Sequence, residues 1–210
     1  MSISITLHRS GTSRTQQVDT TTTGLDLFGS DRAVVAMRVD GNLVDLQREL
    51  HDGAEVEPVE ATSEDGLNII RHSATHVMAQ AVQQLYPEVN LGIGPFITDG
   101  FYYDFGNIEP VTPEVLSELE KRMKRIVKEN QRFVRRVTTE ESAREELADQ
   151  PYKLELIGTK GKGAEGASVE VGGGELTIYD NVRRNGEVAW KDLCLSLIHI
   201  SEPTRQEAIS

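Results

Sequence analysis

The sequence predicts an α+β protein in two parts, and three observations carry that reading. Ile3, Ile5 and Leu7 alternate with polar residues as in a half-buried strand, and further short runs of strand character occur before residue 60. From Leu67 to about Leu85 the apolar residues recur at a helical period instead: Leu67, Ile70, Ala74, Val77, Met78, Ala81 and Leu85 fall within one arc. Beyond that helix, helices and strands alternate without the regular βαβ spacing of a parallel sheet.

In the first part, Gly11 marks a turn after the opening strand. Thr20 to Thr23, followed by Gly24-Leu-Asp-Leu-Phe28, predicts a short capped helix. Ala33 to Val39 reads as a buried strand, and Asp40-Gly41 is a strong hairpin turn. Ala54-Glu-Val-Glu-Pro-Val59 closes the unit as a last strand, with Pro58 favouring an edge position. Strands in this order around one helix predict a ubiquitin-like β-grasp unit over residues 1–62, joined by an acidic linker to a second unit over 63–194.

In that second unit, the stretch from Gly92 to Phe105 reads as two short strands around a turn at Asp99-Gly100. A helix runs from Thr112-Pro113, with its N-cap and first-turn proline, to Asn130. Leu116, Leu119, Met123 and Ile126 are its expected buried stripe. Phe133 to Val137 is a strand, and Thr139 to Ala148 a helix capped by Thr138 or Thr139. Tyr152 to Ile157 and Glu175 to Tyr179 are further extended segments. Gly161, Gly163 and Gly166 satisfy a GxGxxG pattern, but Ala167 to Val171 read as a strand fragment rather than the helix that a phosphate loop must open.

Composition narrows the class. The chain of 210 residues is 38% hydrophobic and 27% charged, in keeping with a soluble globular protein. No apolar run approaches the roughly 20 residues of a membrane span, and the N-terminus has no signal-peptide pattern. The single cysteine, Cys194, excludes an internal disulfide and suits a reducing cytoplasm. A net charge of -12 argues against a broadly nucleic-acid-coated surface, yet eight basic residues lie between Lys121 and Arg136 against one acid, Glu129. Most of these point to water along a solvated helix face, with a local phosphate contact left open.

His72 and His76 are spaced i, i+4, so both rings leave one face of their helix, opposite the apolar arc. That spacing alone fits a metal pair, a general base, or two histidines on a solvated face. The acid of a zincin motif is absent.

The surrounding words are more specific. Ile70-Arg-His72-Ser-Ala-Thr-His76, Gly94-Pro95, Gly100-Phe-Tyr-Tyr-Asp104 and Asp192-Leu-Cys194 closely resemble the editing region of the threonyl-tRNA synthetases. The N-terminal unit resembles, more loosely, the TGS domain that precedes it there. The resemblance implies a site that removes serine wrongly attached to threonine tRNA, and it assigns that work to His72, His76, Lys153, Asp192 and Cys194. A histidine of near-neutral pKa would orient or deprotonate the water, Lys153 would stabilise negative charge or hold the leaving ribose hydroxyl, and Asp192 would hold the substrate amine. Cys194 would form a pocket wall or a metal ligand. Two histidines, Cys194 and one further histidine would make a tetrahedral zinc set, but metal at this site stays unassigned. The resemblance implies the acceptor end of tRNA(Thr) as partner. It places ATP, magnesium, a zinc ion and a homodimer interface only in the aminoacylation core, which this sequence does not contain. A free-standing deacylase and a non-catalytic RNA-binding module are the alternatives.

The sequence departs from that pattern after Cys194. The family continues Cys-Arg-Gly-Pro-His; here Cys194-Leu-Ser-Leu-Ile198 is followed by His199. Leu195 to Arg205 reads as the translation of a transposase adapter used in sequencing libraries, which makes residues 195–210 foreign to the gene. The expected consequence is an incomplete site with weak or absent activity.

Overall fold

The computed structural model describes residues 1–159 and 176–194. Among these the chain divides into two compact units, Met1–Ile70 and a second opening at Arg71, so that the division falls inside one long helix. The class is α+β.

The first unit opens with β1 (Ser2–Arg9) and β2 (Thr12–Asp19), paired in antiparallel register over their whole length. Their turn is tight because Ser10 and Gly11 both take positive φ, 50° and 75°. Sequence reading missed β2, whose mostly exposed residues carry no apolar alternation. Helix α1 (Gly24–Phe28) starts where the Asp26 carboxylate accepts hydrogen bonds from the Thr23 amide and hydroxyl, each 2.8 Å. β3 (Val34–Val39) and β4 (Asn42–Val44) form the hairpin expected at Asp40-Gly41, with φ of 50° and 78°. β5 (Glu55–Glu60) completes a five-stranded mixed sheet of order β2-β1-β5-β3-β4, a β-grasp arrangement. Ile5, Phe28, Val34, Met37, Leu46 and Val56 form its core.

The position of Pro58 corrects the sequence reading. β5 is the central strand, not an edge. β1 pairs with it only at Glu55 and Val56, so the proline lies beyond the stretch flanked on both sides, and its missing N–H interrupts no ladder with β1 there.

The second unit is built on α2 (Glu64–Leu85), β6 (Asn90–Leu91), β7 (Phe96–Ile97), β8 (Gly100–Phe101) and β9 (Phe105–Gly106). β7 pairs with β8 and β6 with β9, a nested pair of short hairpins around the Asp99-Gly100 turn. Helix α3 (Pro113–Lys128) is capped by the Thr112 hydroxyl, which accepts from the Val115 amide. Leu119 and Ile126 are buried as expected, but Leu116 is 58% exposed and drops out of the stripe. After β10 (Arg132–Val137), α4 (Glu140–Glu146) is capped by Thr139. The segment Tyr152–Ile157, expected to be extended, lies instead in α5 (Pro151–Thr159). Its alternation is real, but Pro151 at the first helical position and the packing of Leu154 and Ile157 against Ala143, Leu147, Ile178 and Leu193 favour the helix. β11 (Thr177–Val182) and β12 (Val188–Cys194) complete an antiparallel sheet of order β10-β11-β12. The glycine pattern at 161–166 and the tail from Leu195 lie outside the described residues.

Candidate functional site

The middle of α2 determines the site, and its histidine face is buried along with much of the apolar arc. His72 and His76 are 7% and 4% exposed, and Ile69, Ser73 and Gln80 on the same face are buried with them. Of the apolar arc, Val77 and Ala81 are buried as expected, while Leu67, Ile70, Ala74 and Met78 are partly buried. A solvated histidine face is therefore excluded. The helix points its polar side inward because the sheet beneath offers matching polar partners. Gln80 accepts from the Asn181 side chain at 2.8 Å and donates to Gln131 at 3.1 Å, both partners being fully buried. Gln83 accepts from the indole N–H of Trp190 at 2.6 Å. Buried polar groups need such partners, and these fix the helix's rotation.

The two imidazoles stand edge to face, 5.1 Å between centroids, and His76 makes a second edge contact with Trp190 at 5.7 Å. Across the site Lys153, from α5, and Asp192, from β12, form an ion pair with Nζ 3.1 Å from each carboxylate oxygen. Their side chains are 5% and 2% exposed. Tyr103 closes this group: its hydroxyl donates to Asp192 at 3.3 Å and accepts from Lys153 at 3.3 Å. The structure thus brings four of the five expected residues, His72, His76, Lys153 and Asp192, into one buried cluster. Of Cys194, the backbone is placed in β12 opposite Thr177, two residues beyond Asp192.

Tyr103 was missed as a site residue, although it stands inside the run Gly100-Phe-Tyr-Tyr-Asp104 that carried the resemblance. Its position depends on Gly94: a Cβ there would lie 2.3 Å from the Tyr103 ring. Gly94→Ala is expected to push the ring off Asp192 and Lys153 and to cost roughly 1–3 kcal/mol. Urea denaturation checks the loss, and an unchanged midpoint would show that the ring gives way freely.

Electrostatics set what the cluster can do. Burial, with the Lys153 ammonium nearby, lowers the His72 pKa to about 4. Burial, His72 and Lys153 together hold His76 well below its ordinary value. Both rings are neutral near pH 7. Burial pushes the Asp192 carboxyl up, opposed by Lys153, the Leu193 amide and Tyr103. Asp192 is thus held by Lys153 and Tyr103, with the two neutral imidazoles close enough to Lys153 to feel its charge. Among the described residues no three His, Cys, Asp or Glu side chains are placed to share a metal ion. A cleft of about 580 Å³ lies along β12, lined by Trp190, Lys191 and Asp192 together with Arg136, Glu146 and Asp180. Among the described residues no helix is long and apolar enough to cross a membrane.

No family model matches the chain. Curated proteins do. The threonine–tRNA ligase of Streptomyces avermitilis is 58% identical over 195 residues, covering 91% of this chain and 30% of the relative. Those of Streptomyces griseus and Streptomyces coelicolor are 62% and 55% identical, over 84% and 91% of the chain. The chain spans about 30% of the length of the curated relatives it matches. Identity at this level, sustained over most of the chain, does not arise between unrelated proteins, and the chain belongs to the threonine–tRNA ligase family.

Proposed function

We propose that this chain is the N-terminal part of a cytoplasmic threonine–tRNA ligase, and that the cluster around His72 and His76 hydrolyses serine wrongly esterified to tRNA(Thr). The observation that carries this reading is the convergence of His72, His76, Lys153 and Asp192 in one buried group. The need for such a site is physical. Serine lacks one methyl of threonine, worth roughly 1–3 kcal/mol of discrimination, too little for accurate charging without a second sieve.

The lowered pKa values refine the roles. An imidazole of pKa about 4 is a poor proton acceptor at neutral pH. His72 and His76 therefore act first as neutral hydrogen-bonding groups that aim a water at the ester carbonyl. The proton that water gives up passes to the ribose oxygen as the ester C–O bond breaks, releasing serine and tRNA. The Lys153 ammonium, already buried, stabilises the developing oxyanion. Asp192 takes the substrate ammonium in exchange for part of its bond to Lys153, and Tyr103 holds the carboxylate in place during that exchange.

Hydrolysis of Ser-tRNA(Thr) against Thr-tRNA(Thr) tests the proposal. The chain as it stands is expected to act slowly, because Ile198 occupies the position of the family's further histidine. Restoring that pattern through Leu195→Arg, Ser196→Gly, Leu197→Pro and Ile198→His is expected to raise seryl ester hydrolysis at least tenfold and leave threonyl ester largely intact. Equal, uncatalysed loss of both esters from the restored chain would end the proposal.

A further inference from the structure

The basic run between Lys121 and Arg136 divides into two kinds of residue by its partners, Arg135 belonging with those that have one. Arg122 pairs with Glu118 at 3.0 Å, Lys124 with Glu120 at 2.6 Å, and Arg136 with Glu146 and Asp180. Glu129, the one acid within the run, accepts from Gln131 and Arg183. Lys121, Arg125, Lys128 and Arg132 are exposed or half-buried, and among the described residues none of them has an acidic side chain within ion-pair distance. Glu118, Glu120 and Glu129 are each paired with another cation. In a chain of net charge -12, four neighbouring cations have been left without counter-ions.

Their placement is regular. Lys121, Arg125 and Lys128 fall at i, i+4 and i+7 of α3, hence on one stripe, and Arg132 begins the next strand, β10. A rise of about 1.5 Å per residue sets the three Cα atoms about 6 and 4.5 Å apart along the axis, within reach of successive backbone phosphates for side chains this long. The opposite side of the helix is anchored by buried Leu119 and Ile126, so the stripe is held on a rigid element. Between residues 121 and 132 the apolar residues Met123, Ile126 and Val127 are buried or half-buried, which leaves no exposed apolar residue beside the cations to enter a lipid surface.

We propose that Lys121, Arg125 and Lys128, continued by Arg132, form a contact ridge for the phosphate backbone of helical RNA. The choice of RNA rests on the proposed function, since a seryl ester on tRNA is delivered with an acceptor stem attached. The ridge reads no sequence; it adds affinity and positions the stem.

Fluorescence anisotropy with a labelled acceptor-stem minihelix, over a series of salt concentrations, tests it. The triple variant Lys121→Gln, Arg125→Gln, Lys128→Gln is expected to bind at least tenfold more weakly at low salt. Its plot of log affinity against log salt should be shallower by about 2, from ~0.7–0.9 per lost phosphate contact. A control with the same change in net charge, Arg14→Gln, Arg32→Gln, Arg48→Gln, should lose less than twofold. Equal losses in both variants, an unchanged triple variant, or no binding by the parent chain would each overturn the ridge. Loss of binding to phosphatidylserine vesicles with RNA affinity unchanged would overturn RNA as the partner. Hydrolysis of 3′-O-seryl-adenosine, measured in parallel on chains restored at residues 195–198, should be the same with and without the triple substitution. If that ester is untouched while RNA binding falls in the triple variant, the editing reading fails and the ridge stands.

Discussion

Replacing Lys153 by methionine is expected to destabilise the second unit by about 3–5 kcal/mol, the usual result of breaking a buried ion pair from one side. Methionine keeps most of the side-chain length but leaves the Asp192 carboxylate, in a side chain 2% exposed, with the neutral Tyr103 hydroxyl and Leu193 amide and no counter-charge. The charge has nowhere to be solvated, so the cost is that of an unpaired buried anion rather than of one lost contact. Adding Asp192→Asn to Lys153→Met should recover most of the loss, because the amide oxygen still accepts from Tyr103 and no charge remains. Urea denaturation of the two single variants and the double variant closes the cycle. A loss below about 1 kcal/mol for Lys153→Met would mean that water reaches Asp192 in solution.

Acid should unfold the second unit through its histidines. The His72 pKa is about 4 in the folded chain, against an ordinary value of 6.5. Between those values the unfolded chain binds a proton that the folded chain refuses, so stability is fully present above about pH 6.5 and falls as the pH is lowered towards 4. The depressed pKa of His72 alone corresponds to about 3 kcal/mol across that window. His76, depressed in the same direction, adds to the loss and extends it to lower pH. Asp192 opposes it: its raised carboxyl pKa favours the folded state in acid, a contribution lost as the pH rises through the folded value. The histidines outnumber it, so the net slope is acid-labile. Denaturation midpoints followed from pH 7 to pH 4 should fall steeply in the parent chain and less steeply in His72→Asn. Parallel profiles for the two would contradict a buried neutral imidazole at position 72.

Local chemistry made much of the fold legible. The turn at Asp40-Gly41, the cap and proline at Thr112-Pro113, and the period of α2 each depend on neighbours within a few residues, and each came out as read. The features that were not legible depended on distant chain. Pro58 sits in a central strand because β1 stops pairing at Val56, a property of β1 rather than of β5. Tyr152 to Ile157 alternates like a strand, and only packing against β11, β12 and α4 settles it as helix. The burial of His72 and His76 was not legible: α2 buries its histidine face as well as Val77 and Ala81 of the apolar arc. The partners that draw the polar face inward, Asn181 and Trp190, are more than 100 residues further along the chain. His72, His76, Lys153 and Asp192 are legible in the words that flank them; Tyr103, whose role lies in two hydrogen bonds to residues 50 and 89 positions away, is not.

The central claim is that His72 and His76 belong to an ester-hydrolysing site. The most direct measurement is the single-turnover rate of Ser-tRNA(Thr) deacylation by the chain restored at residues 195–198, with and without His76→Ala. The expected result is a fall of at least a hundredfold, about 3 kcal/mol of lost transition-state stabilisation, with the fold intact by circular dichroism. Deacylation by His76→Ala at the rate of the restored chain would contradict it.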